Sequence, residues 1–192
     1  NPEKLGKLDG FCAVKYSVLK DIWTDDLNTA CPDELRVFLQ AELAFKNSAI
    51  RVITTPAAIR TEKGCPEQDA WYGETFFARY EKLGERYEQA FGQVPYYVQY
   101  VMGYQLLRRF IANTGKKCSN RKMWEENYRN GFFRNCERIL KYVDSRILMR
   151  LDGTELMRCP EPVMALLFSL KQGKADGMAA FVPLQDAGEM YC

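Results

Sequence analysis

Phe132-Phe133-Arg134-Asn135-Cys136-Glu137-Arg138-Ile139-Leu140-Lys141-Tyr142-Val143-Asp144-Ser145-Arg146-Ile147 decides the fold class. Phe132, Cys136, Ile139, Leu140, Val143 and Ile147 recur at spacings of three and four, the period that gathers side chains on one face of an α-helix. At about 100° per residue, Arg134, Arg138 and Lys141 fall on the opposite face. A helix divided in this way presses one face on a core and offers the other to solvent or to a partner.

Two further stripes precede it. Phe76, Tyr80, Leu83 and Tyr87 form one, and Tyr97, Tyr100, Val101, Tyr104, Leu107 and Ile111 form the other. Aromatic stripes at helical spacing are core far more often than cofactor sites, because large rings bury so much apolar surface. Nearer the start, residues 1–13 read as a polar arm with Gly6 and Gly10, and a helix is expected from about Val14 to Leu27. Asn28-Thr29-Ala30-Cys31-Pro32 ends it, and Pro32 suits the first turn of the next helix. There Leu35, Phe38, Leu39 and Leu43 keep helical spacing between Asp33 and Asn47. Arg51 to Thr55 is strand-like, β-branched and closed by Pro56, and residues 61–68, with Gly64, Cys65 and Pro66, form the clearest loop and candidate internal boundary. The expectation is an all-α fold of stacked helical hairpins, a single helical domain over residues 14–192 with at most one short strand near 51–55.

Glycines punctuate a faint repeat. Tyr80 to Phe91 reads as helix, turn at Gly84, helix; Leu107 to Trp124 turns at Gly115-Lys116; Leu166 to Phe181 turns at Gly173. The last segment resembles the pentatricopeptide and tetratricopeptide helical hairpin, in which an apolar helix ends at Gly-Lys or Gly-Arg and the next begins with an acid and Ala. Gly84 and Gly115 stand 31 residues apart, near the ~34-residue period of such repeats. Gly115 and Gly173 are 58 apart, and Gly177 stands where the family often has Glu or another helix former. The resemblance covers roughly half the chain. It implies hairpins that stack because none can bury its apolar face alone, presenting a long surface to a partner.

No histidine occurs among the 192 residues. Histidine is the usual proton shuttle near neutral pH and the commonest metal ligand. Its absence excludes Ser-His-Asp and Cys-His catalysis, His-containing zinc sites and HExxH proteases. Cys65-Pro66 through Phe77, followed by Tyr100-Val101-Met102-Gly103-Tyr104, loosely resembles a secreted neutral zinc metallopeptidase. Tyr100, Val101 and Tyr104 take the places of its two His and catalytic Glu, which implies an inactive relative. The carboxylate pairs Glu125-Glu126, Asp25-Asp26 and Glu85/Glu88 read as solvated faces. Leu151-Asp152-Gly153-Thr154 lacks the Gly-Lys-Ser/Thr ending of a phosphate loop. No catalytic, cofactor or metal site is expected.

Net charge is only +2, yet between Arg108 and Lys141 ten basic residues stand against three acids. The partner-contact candidates are Arg108, Arg109, Lys116, Lys117, Arg121, Lys122, Arg134, Arg138 and Lys141. A solvated basic helix face is the plain alternative. Phe110 and Trp124 among these cations keep RNA open as a partner. Against RNA stand the near-neutral total charge and too few repeats to read bases one by one. Peripheral contact with an anionic membrane is a further reading, whereas apolar runs such as Val163 to Phe168 fall far short of the ~18 residues that span a bilayer.

Seven cysteines sit singly at Cys12, Cys31, Cys65, Cys118, Cys136, Cys159 and Cys192, with no CxxC. They suit buried thiols or, with one left over, up to three disulfides. The Asn-Pro-Glu-Lys opening is expected of a processed product or a fragment. These readings converge on a non-enzymatic helical accessory or scaffold subunit of a larger multiprotein complex. The helical-repeat resemblance suits a mitochondrial home and a respiratory or ATP synthase-type assembly. The alternatives are a secreted or periplasmic disulfide-stabilised helical binder and an RNA-binding helical-repeat protein.

Overall fold

The computed structural model describes residues 16–21, 38–39, 41–43, 69–113, 120–151 and 161–174. Among them the regular structure is all helical. The α-helices are α1 (Tyr16–Leu19), α2 (Glu74–Phe91), α3 (Tyr96–Ile111), α4 (Glu126–Leu140), α5 (Ser145–Leu151) and α6 (Glu161–Lys171). Two 3-10 turns, Asp69–Tyr72 and Arg121–Trp124, lead into α2 and α4. Residues 38–39 and 41–43 are also helical, where the Leu35 to Leu43 pattern places a helix. The polar arm 1–13, the strand-like 51–55, the loop 61–68, Lys116, Lys117, Gly115, Gly177 and every cysteine except Cys136 lie outside the described residues.

The packing follows the apolar spacing. α4 lies against both α2 and α6, α3 lies against α5, and α3 also touches α4 and α6. From α2 to α6, helices thus meet the second one along the chain, a pattern consistent with stacked α-hairpins. The stripe Phe76, Tyr80, Leu83 and Tyr87 is buried throughout. α3 is buried almost all round: Val98, Val101, Met102, Leu106, Leu107 and Phe110 are in the core. Of the expected stripe, Tyr100, Val101 and Leu107 are buried while Tyr97, Tyr104 and Ile111 are half-buried, so the core face of this central helix is wider than the stripe and turned from it. Each such buried aliphatic side chain contributes about 2 kcal/mol of transfer free energy.

Phe132 is the ring that joins these elements. Its centroid lies 5.7 Å from Tyr72, 5.8 Å from Phe77 and 5.3 Å from Phe110, so one side chain of α4 meets the first 3-10 turn, α2 and α3. Tilted and edge-on ring pairs of this kind contribute about 1 kcal/mol beyond their area.

Two turn expectations are corrected. Tyr80 to Phe91 does not fold back at Gly84; it is one continuous stretch of α2. Gly84 is buried inside that helix, and a Cβ there would stand 2.8 Å from the Tyr142 ring. The glycine serves a close approach between elements, not a turn. Conversely, Phe132 to Ile147 is not one helix: α4 ends at Leu140 and α5 begins at Ser145. Asp144 caps the new helix, its Oδ1 accepting from the Arg146 amide at 2.8 Å. The stretch Tyr16 to Asp21 likewise turns at Lys20–Asp21, short of the expected Leu27.

Left-handed glycines end two helices. Gly92, at φ 74°, closes α2 by donating its N–H to the Glu88 carbonyl at 2.8 Å, and Gly173, at φ 67°, follows α6. Both take a conformation that costs other residues steric strain. Gln99 then ties the α2–α3 turn to the α4–α5 turn. Its Nε2 donates to the Val94 carbonyl at 2.7 Å, and its Oε1 accepts the Asp144 amide at 2.7 Å.

Candidate functional site

The basic segment forms three structures rather than one face. Arg109 is fully buried on α3. Its Nε donates to the Trp71 carbonyl at 2.7 Å and its Nη1 to the Gln105 carbonyl at 2.9 Å. The guanidinium carbon stands 3.5 Å from the Phe76 ring centroid and 4.6 Å from that of Trp71. A planar, weakly hydrated cation suits such a sandwich. Arg109 therefore locks the first 3-10 turn to α3, and its burial removes it from any contact face. Arg108, half-buried beside it, lies 5.8 Å from the Trp71 ring.

The second structure clamps the two 3-10 turns together. Lys122 pairs with Asp69, and Asn120 Nδ2 donates to Asp69 Oδ1 at 3.1 Å. Asn113 links the same end to Tyr72, its Nδ2 donating to the phenol oxygen at 2.9 Å. The Lys122 ammonium holds the Asp69 carboxyl below its ordinary range, and Asp69 raises the lysine in return.

The third joins α4 to α2. Arg138 pairs with both Glu74 and Glu81, and Lys141 Nζ reaches Glu81 Oε1 at 3.1 Å. Hydrogen bonding to Arg138 lowers the Glu81 carboxyl against the opposing pull of burial. Lys141 is raised, first by its hydrogen bond with Tyr142 and then by Glu81.

The acids that meet this basic segment thus come from the same chain, from Asp69, Glu74 and Glu81. Of the sequence-derived candidates, Arg121 and Arg134 are exposed, Lys122, Arg138 and Lys141 are ion-paired within the fold, and Arg109 is core. Among the described residues, these candidates do not come together at one site.

A site of which the charge pattern marked only Lys141 lies at two of the turns. An open cleft of about 400 Å³ is lined by residues including Glu88, Gln93, Gln99, Lys141, Asp144 and Lys171. Its walls come from the α2–α3 turn, the α4–α5 turn and the end of α6. Lys171 Nζ donates to the Leu140 carbonyl at 3.0 Å, and burial depresses its basicity despite the nearby Asp144 charge. Asp144 itself, bonded by the Arg146 side chain and amide, is pushed down to about 2. In sequence only the turn read at Gly173 pointed to one of these walls, and nothing in the spacing shows that they meet.

Phe91, at 58% exposure, Tyr96 and Met149, at 66%, stand out at the end of α2, at the start of α3 and on α5. Arg150 Nη1 donates to the Tyr96 hydroxyl at 3.1 Å, which places α5 against the start of α3. The other small cavity, about 20 Å³ beside Arg109, Asn113 and Arg129, has room for about one water. Among the described residues, no group of acids and cysteines is arranged to hold a metal ion, and no helix is long and apolar enough to cross a membrane. Cys136 is a buried free thiol, pushed well above its ordinary value by desolvation.

The chain matches no family model, no curated protein and no solved structure.

Proposed function

We propose that the chain is a non-enzymatic helical accessory subunit that works by protein contact within a larger assembly. The observation that carries this reading is the exposure of Phe91, Tyr96 and Met149, with Arg150 bonded to Tyr96. These are three of the five large apolar side chains exposed among the described residues, and Tyr96 and Met149 lie on α3 and α5, which pack together. Scattered surface hydrophobics are ordinary, but aromatic residues, Met and Arg are the types enriched where proteins meet. Gln99 pins the α2–α3 turn, which separates Phe91 from Tyr96, to the α4–α5 turn, so the backbone that carries those two rings is preorganised.

Internal pairing of the basic segment favours protein contact over a polyanion. Binding RNA or an anionic membrane draws on unpaired cations, and here Lys122, Arg138 and Lys141 are already satisfied by carboxylates. A mitochondrial respiratory or ATP synthase-type assembly belongs to this proposal, carried by the helical-hairpin resemblance.

Gel filtration of gently lysed source material, with mass spectrometry across the fractions, tests it. Migration within a large complex, lost on Phe91→Asp with Met149→Asp in a chain that stays folded, supports the reading and identifies the assembly. Elution of the unaltered chain near 22.2 kDa overturns it. Secretion, with a non-reducing mass lighter by two hydrogens per bridge, supports the disulfide-stabilised binder instead.

A further inference from the structure

We infer that the outer face of α5 docks an acidic segment of a partner protein, with a carboxylate on the Arg150 guanidinium and an apolar side chain on Met149. The inference rests on the accessory-subunit reading and gives the chemistry of the partner. Arg146, Met149 and Arg150, at i, i+3 and i+4, are exposed, while Ile147, Leu148 and Leu151 are buried on the other side of the helix.

The state of its guanidinium singles out Arg150. Four arginines are exposed among the described residues: Arg121, Arg134, Arg146 and Arg150. Arg146 is engaged by Asp144, its Nε donating to Oδ1 at 3.1 Å and its Nη2 to Oδ2 at 3.0 Å. No hydrogen bond or ion pair fixes the guanidinium of Arg121 or Arg134. Arg150 combines a fixed head with an open edge. Its Nη1 donates to the Tyr96 hydroxyl at 3.1 Å, and its Cζ stands 5.7 Å from the centroid of that ring. Nε and Nη2 are left without an acceptor.

That pair of nitrogens is the edge with which this chain grips its own carboxylates. Arg146 holds Asp144 by it, and Arg138 turns the same two nitrogens on Glu81. A carboxylate fits it bidentately, and the hold on Tyr96 lowers the ordering cost of binding.

The surroundings favour an acid. Neither α3 nor α5 contains Asp or Glu, and Asp144, ahead of α5, is matched by Arg146. By contrast, Trp124, the exposed ring on the turn with Arg121, is followed directly by exposed Glu125 and Glu126. Beside Arg150, Met149 offers an adaptable apolar contact. Phosphate fits the same guanidinium edge, but RNA and anionic membranes draw on several unpaired cations, and this face supplies one.

The test selects a phage-displayed library of short random peptides on the full chain and measures how variants, confirmed folded by circular dichroism, bind the enriched sequences. Those sequences are expected to carry Asp or Glu beside an aliphatic or aromatic residue. Arg150→Glu should weaken their binding about tenfold or more, and Arg150→Lys by less, since lysine keeps the charge without the fork. Arg134→Glu, an equal change of charge on α4, should leave binding within about twofold. Enriched sequences without acids, or ones that Arg150→Glu binds as well as the unaltered chain does, overturn the proposal. So does a loss at Arg134→Glu as large as that at Arg150→Glu, which would mean long-range attraction alone. Retention of polyuridylate or of phosphatidylserine vesicles through Arg150, with no peptide enriched, overturns it in favour of a polyanion. A chain that migrates within a large complex yet selects no acidic peptide loses this proposal alone and keeps the accessory-subunit reading.

Discussion

Arg138 of α4 and Glu81 of α2, 57 residues apart, meet in a charge-assisted pair in which Arg138 Nε lies 2.9 Å from Glu81 Oε2 and Nη2 reaches the same oxygen. Glu74 takes the guanidinium from a second side, and Lys141 holds the other oxygen of Glu81. The pairing reinforces the rotation of α4 on α2 that its buried apolar stripe already dictates.

Removing this clamp costs stability in a salt- and pH-dependent way. Arg138→Gln is expected to lose about 1 kcal/mol, because the Glu81 end is largely enclosed but the Arg138 end is partly hydrated. A double-mutant cycle with Glu81→Gln, followed by urea unfolding, isolates the pair, and its coupling should shrink at high salt. Glu81 is lowered below 4.5 in the fold. Its contribution is therefore complete above the ordinary Glu range and is lost as pH falls through the lowered value. Arg138→Gln should flatten that acid limb; an unchanged limb would assign the acid sensitivity elsewhere.

Two helical glycines should respond to alanine with opposite signs. At Gly84 a Cβ meets the Tyr142 ring at 2.8 Å, and Tyr142 is buried, so the ring must be displaced. Gly84→Ala is expected to destabilise by about 1–3 kcal/mol, overpacking outweighing the helix-propensity gain. At Gly131 on α4 a Cβ meets nothing within 4 Å. Gly131→Ala should stabilise by about 0.5–1 kcal/mol. Thermal unfolding of the two variants checks both signs, and Tyr142→Ala should relieve the Gly84→Ala penalty.

Those two glycines also show what the sequence could and could not disclose. Periodicity marks α2 well, because Phe76, Tyr80, Leu83 and Tyr87 are indeed its buried face. A glycine within such a pattern carries no sign of whether its missing side chain serves a turn or a neighbour, and Gly84 serves Tyr142. The break between α4 and α5 was hidden for a related reason. Leu140, Val143 and Ile147 are all buried, so the apolar rhythm continues across a turn that only the Asp144 cap reveals. The basic segment misled in a third way. Counting charge along the chain ignores acids that return in space, and Asp69, Glu74 and Glu81 do return. The cleft at Lys171 was not legible, since its walls are turns far apart in sequence.

Tyr87 predicts an alkaline limb. Its hydroxyl donates to the Ala41 carbonyl at 3.3 Å, and burial first, then the Glu42 charge, push the phenol up to about 12. The fold thus prefers the neutral ring. That stability is complete below the ordinary value near 10 and is lost as pH rises through about 12. Tyr87→Phe removes the titration, so its stability should fall less steeply over that interval than that of the unaltered chain. Unfolding midpoints across the alkaline range decide the matter, and parallel slopes would show that Tyr87 contributes nothing there.

Arg109 tests whether a buried cation can be exchanged for another. Its Nε serves the Trp71 carbonyl and its Nη1 the Gln105 carbonyl, while the plane lies over Phe76. A lysine carries the same charge on a single compact, strongly hydrated head without the planar fork. Arg109→Lys should lose about 2 kcal/mol or more, because the charge stays buried while one carbonyl goes unserved. Arg109→Ala should lose about 3–5 kcal/mol, adding a cavity between the first 3-10 turn and α3 to the unsatisfied acceptors. Both are read from urea midpoints, with Trp fluorescence reporting release of Trp71. A lysine variant as stable as the original chain would mean that charge alone, not the shape of the guanidinium, holds this turn to α3.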